Sequence, residues 1–124
     1  MAEYKKDIGA LGEKYAENLL VKNNYKILEK NFRCKIGEID IIAQDGKYLV
    51  FVEVKTRNTA MYGCPAEAVN YYKQRKIIQV AQFYMAYKKY DGDVRFDVIE
   101  ILIKLKRGVP VIYSTNLIKN AFTL

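Results

Sequence analysis

Two carboxylates and an ammonium fall within one short stretch, Gly37–Arg57, at spacings that would let them act on the same substrate atom. Asp40 is followed by twelve residues and then by Glu53-Val54-Lys55. Asp45-Gly46 is the dipeptide of a tight hairpin turn. The runs on either side, Glu38–Ala43 and Tyr48–Thr56, have the β-branched and aromatic content of strands. Side chains alternate along a strand, which puts Glu38 on the face of Asp40 and Glu53 on the face of Lys55. Ile39, Ile41, Val50, Val52 and Val54 then fill the opposite faces, while Leu49 and Phe51 extend the Glu53/Lys55 face with apolar surface. Carboxylates at the edge of a core are costly unless they are paired or bind a cation. The chain has no histidine, so such a cation would be held by oxygen alone, the preference of magnesium and manganese. Phosphodiester hydrolysis needs an activated water in line with the leaving oxygen and positive charge to stabilise the developing anion. Asp40 and Glu53 would hold the ion, and Lys55 would orient the water or neutralise the phosphate.

These strands need a scaffold, and the rest of the chain reads as one. Asp7 caps a first helix with Ile8, Leu11, Tyr15, Leu19 and Leu20 at helical spacing, running to Asn23-Asn24. Glu13 and Glu17 lie one turn apart on a neighbouring face. A strand at Tyr25–Arg33 precedes the Glu38–Gln44 and Lys47–Arg57 strands, completing an antiparallel meander. Asn58–Pro65 is a loop next to Lys55. From Ala66 the pattern turns helical, with a break near Asn70, and Lys73, Ile77, Val80, Ala81 and Tyr84 form one stripe. Asp91-Gly92-Asp93 ends that helix. Strands follow at Val94–Ile103 and Val109–Tyr113, and Ser114–Asn116 caps a short last helix through Phe122. The order α-β-β-β-α-β-β implies an α/β fold: a mixed central sheet, the meander plus a crossover strand, flanked by helices.

With 124 residues the chain is read as one domain spanning 1–124. Its net charge of +7 and pI near 9.3 point to an anionic partner such as nucleic acid. Two cysteines, Cys34 and Cys64, without CxxC and without histidine, exclude zinc fingers and Ser-His-Asp or Cys-His catalysis. No run approaches the ~20 apolar residues of a membrane span, and MAEYKKD has no signal-like core. The expected setting is cytoplasmic, without a membrane partner.

The same residues carry a resemblance. Asp40 with Glu53-Val54-Lys55 is similar to the D…(D/E)xK pattern of the restriction-endonuclease-like, or PD-(D/E)xK, nuclease superfamily. Most of the chain resembles the small bacterial YraN-like family, similar in fold to archaeal Holliday-junction resolvases. The matching positions are Gly9-x-x-Gly12-Glu13, Asn31-Phe32-Arg33, Gly37-Glu38-Ile39-Asp40, Phe51-Val52-Glu53-Val54-Lys55-Thr56-Arg57, Lys73 and the helix of Ala81 and Tyr84. The resemblance implies a magnesium- or manganese-dependent DNA endonuclease acting on branched or damaged DNA, with Asp40, Glu53, Lys55 and Glu13 catalytic. It implies the Val54 backbone carbonyl as a third oxygen ligand, and Glu13 as a ligand bound directly or through water. Gly9 and Gly12 would let the first helix lie close to the sheet; the other reading leaves Glu13 in solvent. Lys73 either snorkels to the helix end or reaches the phosphate. Arg57 grips the DNA backbone or forms a salt bridge, Arg33 belongs to the same basic surface, and Glu38 supports Asp40 from outside the ligand set or pairs with a lysine. A homodimer follows only by analogy with the resolvases. The rival reading is an inactive nucleic-acid-binding module of the same fold, and a third is a protein-interaction domain.

Overall fold

The computed structural model describes residues 2–58 and 69–124, with side chains from residue 8 onward. Its elements are α1 (Ala2–Lys22), β1 (Lys26–Arg33), β2 (Glu38–Asp45), β3 (Tyr48–Asn58), α2 (Tyr71–Lys88), β4 (Val94–Lys106) and β5 (Val109–Phe122). The strands form one sheet in the order β1-β2-β3-β4-β5. All neighbours are antiparallel except β3 and β4, which run parallel with Leu49 opposite Val94 and Asn58 opposite Ile103. A parallel pair needs a crossover, and α2 provides it. The expected mixed α/β sheet of restriction-endonuclease-like order is therefore present.

Each face of the sheet has its own core. Ala16 and Leu20 of α1 pack on Ile41, Ala43, Val50, Val52, Ile99, Ile101 and Ile103. On the other face Ile77, Ile78, Val80, Ala81 and Tyr84 of α2 pack on Ile39, Ile42, Leu49, Phe51 and Phe96. Ile77, Val80, Ala81 and Tyr84 match the expected stripe and Ile78 adds to it, and Asn70 caps the start of α2 by accepting the Lys73 amide at 2.8 Å.

Several strand ends shift by a residue from the expected ones, and the larger differences lie in α1, β4 and β5. Helix α1 begins at Ala2, before Asp7, because Ala2–Lys6 contains no helix breaker and continues the helix at little cost. Its end at Asn23-Asn24 stands, with Asn24 in the left-handed region (φ 67). The residues after Tyr113 are not a helix: β5 continues to Phe122 against β4. The polar Ser114–Asn116 suggested a cap, but β4 extends to Lys106 and offers a long edge whose backbone groups take a partner strand. Of the expected Asn58–Pro65 loop and the Ala66 helix start, residues 59–68 lie outside the described residues.

A buried polar network, absent from the sequence reading, ties the opposite end of the sheet together. Asp97 is fully buried and meets Arg95 Nε at 2.9 Å, the Tyr25 hydroxyl at 2.7 Å and the Asn120 amide at 3.0 Å. Arg95 also reaches Asp45 at 2.7 Å. The acid is thus paired and hydrogen-bonded, which is what makes a buried charge tolerable. Its signal in the sequence was an aspartate inside the apolar run Val94–Ile103, two residues from an arginine on the same face.

Candidate functional site

The site forms where the alternation of β2 fails. Ile41 and Ala43 belong to the α1 core, but Ile39 belongs to the α2 core with Ile42. The reading that put Ile39 and Ile41 on one face is corrected accordingly: the strand rolls over between them, at Asp40. Across from Asp40, between the pairs Lys30–Ile41 and Phe32–Ile39, stands Asn31. Its backbone is left-handed (φ 53), a conformation asparagine tolerates better than most residues and one that kinks a strand. On the other side, β2–β3 pairing runs from Asp45–Tyr48 to Ile41–Val52 and stops there. The Asp40 side chain fills the gap, its Oδ2 accepting the Val54 amide at 2.8 Å.

Glu53 comes next on β3 and is buried, with a relative exposure of 6%. Its carboxylate meets Lys73 Nζ of α2 at 2.7 Å. Asp40 and Glu53 lie within hydrogen-bonding range of each other, and burial followed by the Glu53 charge pushes the Asp40 carboxyl up to about 7. Lys55 is beside Lys73 and Glu53. Burial, then the Lys73 charge, lowers the Lys55 pKa. For Lys73, burial is the largest single influence and acts downward, but the bond to Glu53 and the charges of Glu53 and Asp40 together outweigh it, and the net shift is upward. The stem of Lys73 therefore does not snorkel away; its ammonium enters the site. Asp40, Glu53 and Lys73 line an open cleft of about 460 Å³ together with Glu38, Tyr72 and Lys76. Tyr72 and Lys76 were not singled out from the sequence, although their one-turn spacing beside Lys73 was visible.

Glu13 approaches from the α1 side. A Cβ on Gly12 would overlap the Thr56 hydroxyl and lie 3.1 Å from Thr56 Cγ2, so α1 touches β3 where only glycine fits. Gly9 has open space around it and is not part of that contact. Glu13 is partly buried. Burial, then the charges of Asp40, Glu17 and Glu38, raise its pKa. It thus senses Asp40, yet among the described residues no three acidic, cysteine or histidine side chains gather closely enough to form a metal cage. The two-carboxylate set remains, and a divalent magnesium ion commonly takes only one or two carboxylates and keeps its waters. A buried acidic pair with oxygen donors only, in which burial and the Glu53 charge hold the Asp40 carboxyl up, is a fitting place for such an ion.

The remaining expected residues lie outside this centre. Arg33 and Glu38 pair with each other at 2.9 Å, both exposed, so Glu38 is partnered by an arginine and not by a lysine. Arg57 Nη2 meets Glu100 Oε2 at 2.8 Å with only 14% of its side chain exposed, the salt-bridge alternative. Cys34 is a free, half-buried thiol in the α2 core, and Cys64 lies outside the described residues. No helix among the described residues is long and apolar enough to cross a membrane.

The fold and the acidic cleft define an α/β protein of restriction-endonuclease-like architecture. Residues 12–101 match the family described as "Uncharacterised protein family UPF0102", and the chain belongs to that family. It is 50% identical to a UPF0102 protein of Clostridium kluyveri over 125 residues, covering all of both chains. It is 49% identical to one from Clostridium tetani, again over the whole of both. A UPF0102 protein of Caldanaerobacter subterraneus subsp. tengcongensis is 49% identical over 95% of this chain and 96% of its own.

Proposed function

We propose that the protein is a magnesium- or manganese-dependent DNA endonuclease whose centre is Asp40, Glu53, Lys55 and Lys73. The observation that carries this reading is the meeting of two carboxylates at the parting of β2 and β3, with Lys73 beside them in an open cleft and Lys55 next to Lys73 and Glu53. A divalent cation held by Asp40 and Glu53 would supply positive charge to the phosphate and lower the pKa of a bound water. The Val54 amide fixes Asp40 and leaves its other oxygen for the cleft. Lys73 neutralises Glu53 in the free protein and, being on a helix that overlooks the cleft, is placed to take up a phosphate oxygen instead. Lys55 stands on the same side and orients the water or balances charge on the phosphate. Glu13 adds negative charge from across the sheet and strengthens the pull on cations.

The net charge of +7 supports a polyanionic substrate, and branched or damaged DNA is the form this reading favours. Labelled linear, nicked and four-way DNA, incubated with magnesium, manganese or EDTA, tests it. Cleavage should need the cation and should be lost in Lys55→Ala, while that variant keeps its fold and nearly all its DNA affinity. If wild type binds DNA but cuts none of these substrates with either metal, the binding-module reading replaces this one.

A further inference from the structure

We propose that an exposed stripe on α2, made of Tyr72, Lys76, Gln79, Phe83 and Tyr87, seats an unpaired DNA strand leading away from the Asp40/Glu53 cleft. This rests on the reading of that cleft as a DNA-cleaving centre and specifies which part of the substrate adjoins it. Successive stripe positions are four, three, four and four residues apart, which aligns them along one side of a helix. They lie beside the buried stripe and outside it: Tyr72 is 71% exposed, Phe83 46% and Tyr87 68%. Phe83 and Tyr87 pack ring against ring while both stay exposed, a contiguous apolar surface of the kind that serves as a binding face.

Cations stand beside the rings, and the helix that carries them has no anion of its own. Helix α2 carries Lys73, Arg75, Lys76 and Lys88 and has no aspartate or glutamate. Lys76 Nζ lies 5.8 Å from the Tyr72 ring centroid and Lys88 Nζ 5.4 Å from that of Tyr87. Phe83 and Tyr87 are nearly parallel, 11° apart. Exposed rings with an ammonium group at each end of the row match a strand whose bases are free to stack and whose phosphates run alongside. A duplex would use the lysines but not the rings, because its base faces are already covered. A second copy of this chain fits poorly, since two such helices would oppose cation to cation.

The stripe is also continuous with the proposed chemistry, because Tyr72 and Lys76 line the cleft with Asp40 and Glu53. From Tyr72 to Tyr87 is ~22 Å at a helical rise of 1.5 Å per residue, a length that seats a run of several nucleotides.

Fluorescence anisotropy in EDTA, where nothing is cut, separates this inference from the cleavage reading. The probes are a labelled single strand and the duplex of the same sequence. The proteins are wild type, Tyr72→Ala, Tyr87→Ala and the corresponding Tyr→Phe variants, whose exposed positions leave folding intact. Each alanine variant should lose roughly fivefold or more in single-strand affinity, the phenylalanine variants should retain it, and duplex affinity should stay within about twofold. Equal losses on both probes, or no loss on the single strand, would overturn the seat. An alanine variant that dissociates a dimer in sedimentation while single-strand affinity holds would assign the stripe to a second copy instead. If the rings hold a single strand and wild type never cuts DNA, the cleavage reading fails and this one stands.

Discussion

At the scale of single residues, Asp40 carries the strongest electrostatic signature of the cleft. Its carboxyl is raised from 3.8 to about 7 by burial and by Glu53. A folded pKa above the unfolded one means that the folded state holds the extra proton, so stability falls as pH rises from ~4 to ~7. Asp40→Asn keeps an oxygen for the Val54 amide and removes the charge. In EDTA it should melt higher than wild type at pH 8, and the gap should close towards pH 4; a gap independent of pH would remove Asp40 from this role. The acidic pair and Lys55 were legible because hairpin and strand signals put them in register. The position of Asp40 between two faces was not, because it depends on the left-handed Asn31 across the strand. The fate of Arg57 was also illegible: its partner Glu100 is 43 residues away, and no local spacing could choose that over DNA.

At the scale of elements, the contact of α1 with β3 decides whether Glu13 is close to the centre. Gly12→Ala would press a methyl group into Thr56, and overpacking of this kind costs about 1–3 kcal/mol. Thr56→Ala removes the colliding hydroxyl and methyl, so the double variant should recover most of the loss, as a thermal-denaturation double-mutant cycle would read. Additive losses would mean that the two residues do not meet. The Gly12 signal was readable from Gly9-x-x-Gly12, although only one of the two glycines is used. The order of elements was legible through the start of β5 at Val109 because apolar periodicity switches cleanly there between strand and helix. Beyond it, Ser114–Phe122 alternates poorly and is exposed over most of its length. Its strand form comes from the partner β4 and from the Asp97–Asn120 bond, neither of which is a property of the segment itself.

At the scale of the whole molecule, a chain of net charge +7 carries a small acidic cleft, and the proposed function needs both, the basic surface for a polyanion and the cleft for a cation. Affinity for DNA should fall steeply with salt, by a slope of about −0.9 in log K per phosphate contacted, and should vary little with sequence; a flat response would assign the basic surface to another partner. The central claim is that Asp40 and Glu53 hold one divalent cation. Calorimetric titration of manganese into wild type, Asp40→Asn and Glu53→Gln tests it most directly, since it needs neither substrate nor turnover. The account predicts saturable binding of one ion to wild type, weakened at least ~10-fold in each variant while both still unfold cooperatively. Equal binding by all three proteins, or none by wild type, would contradict it.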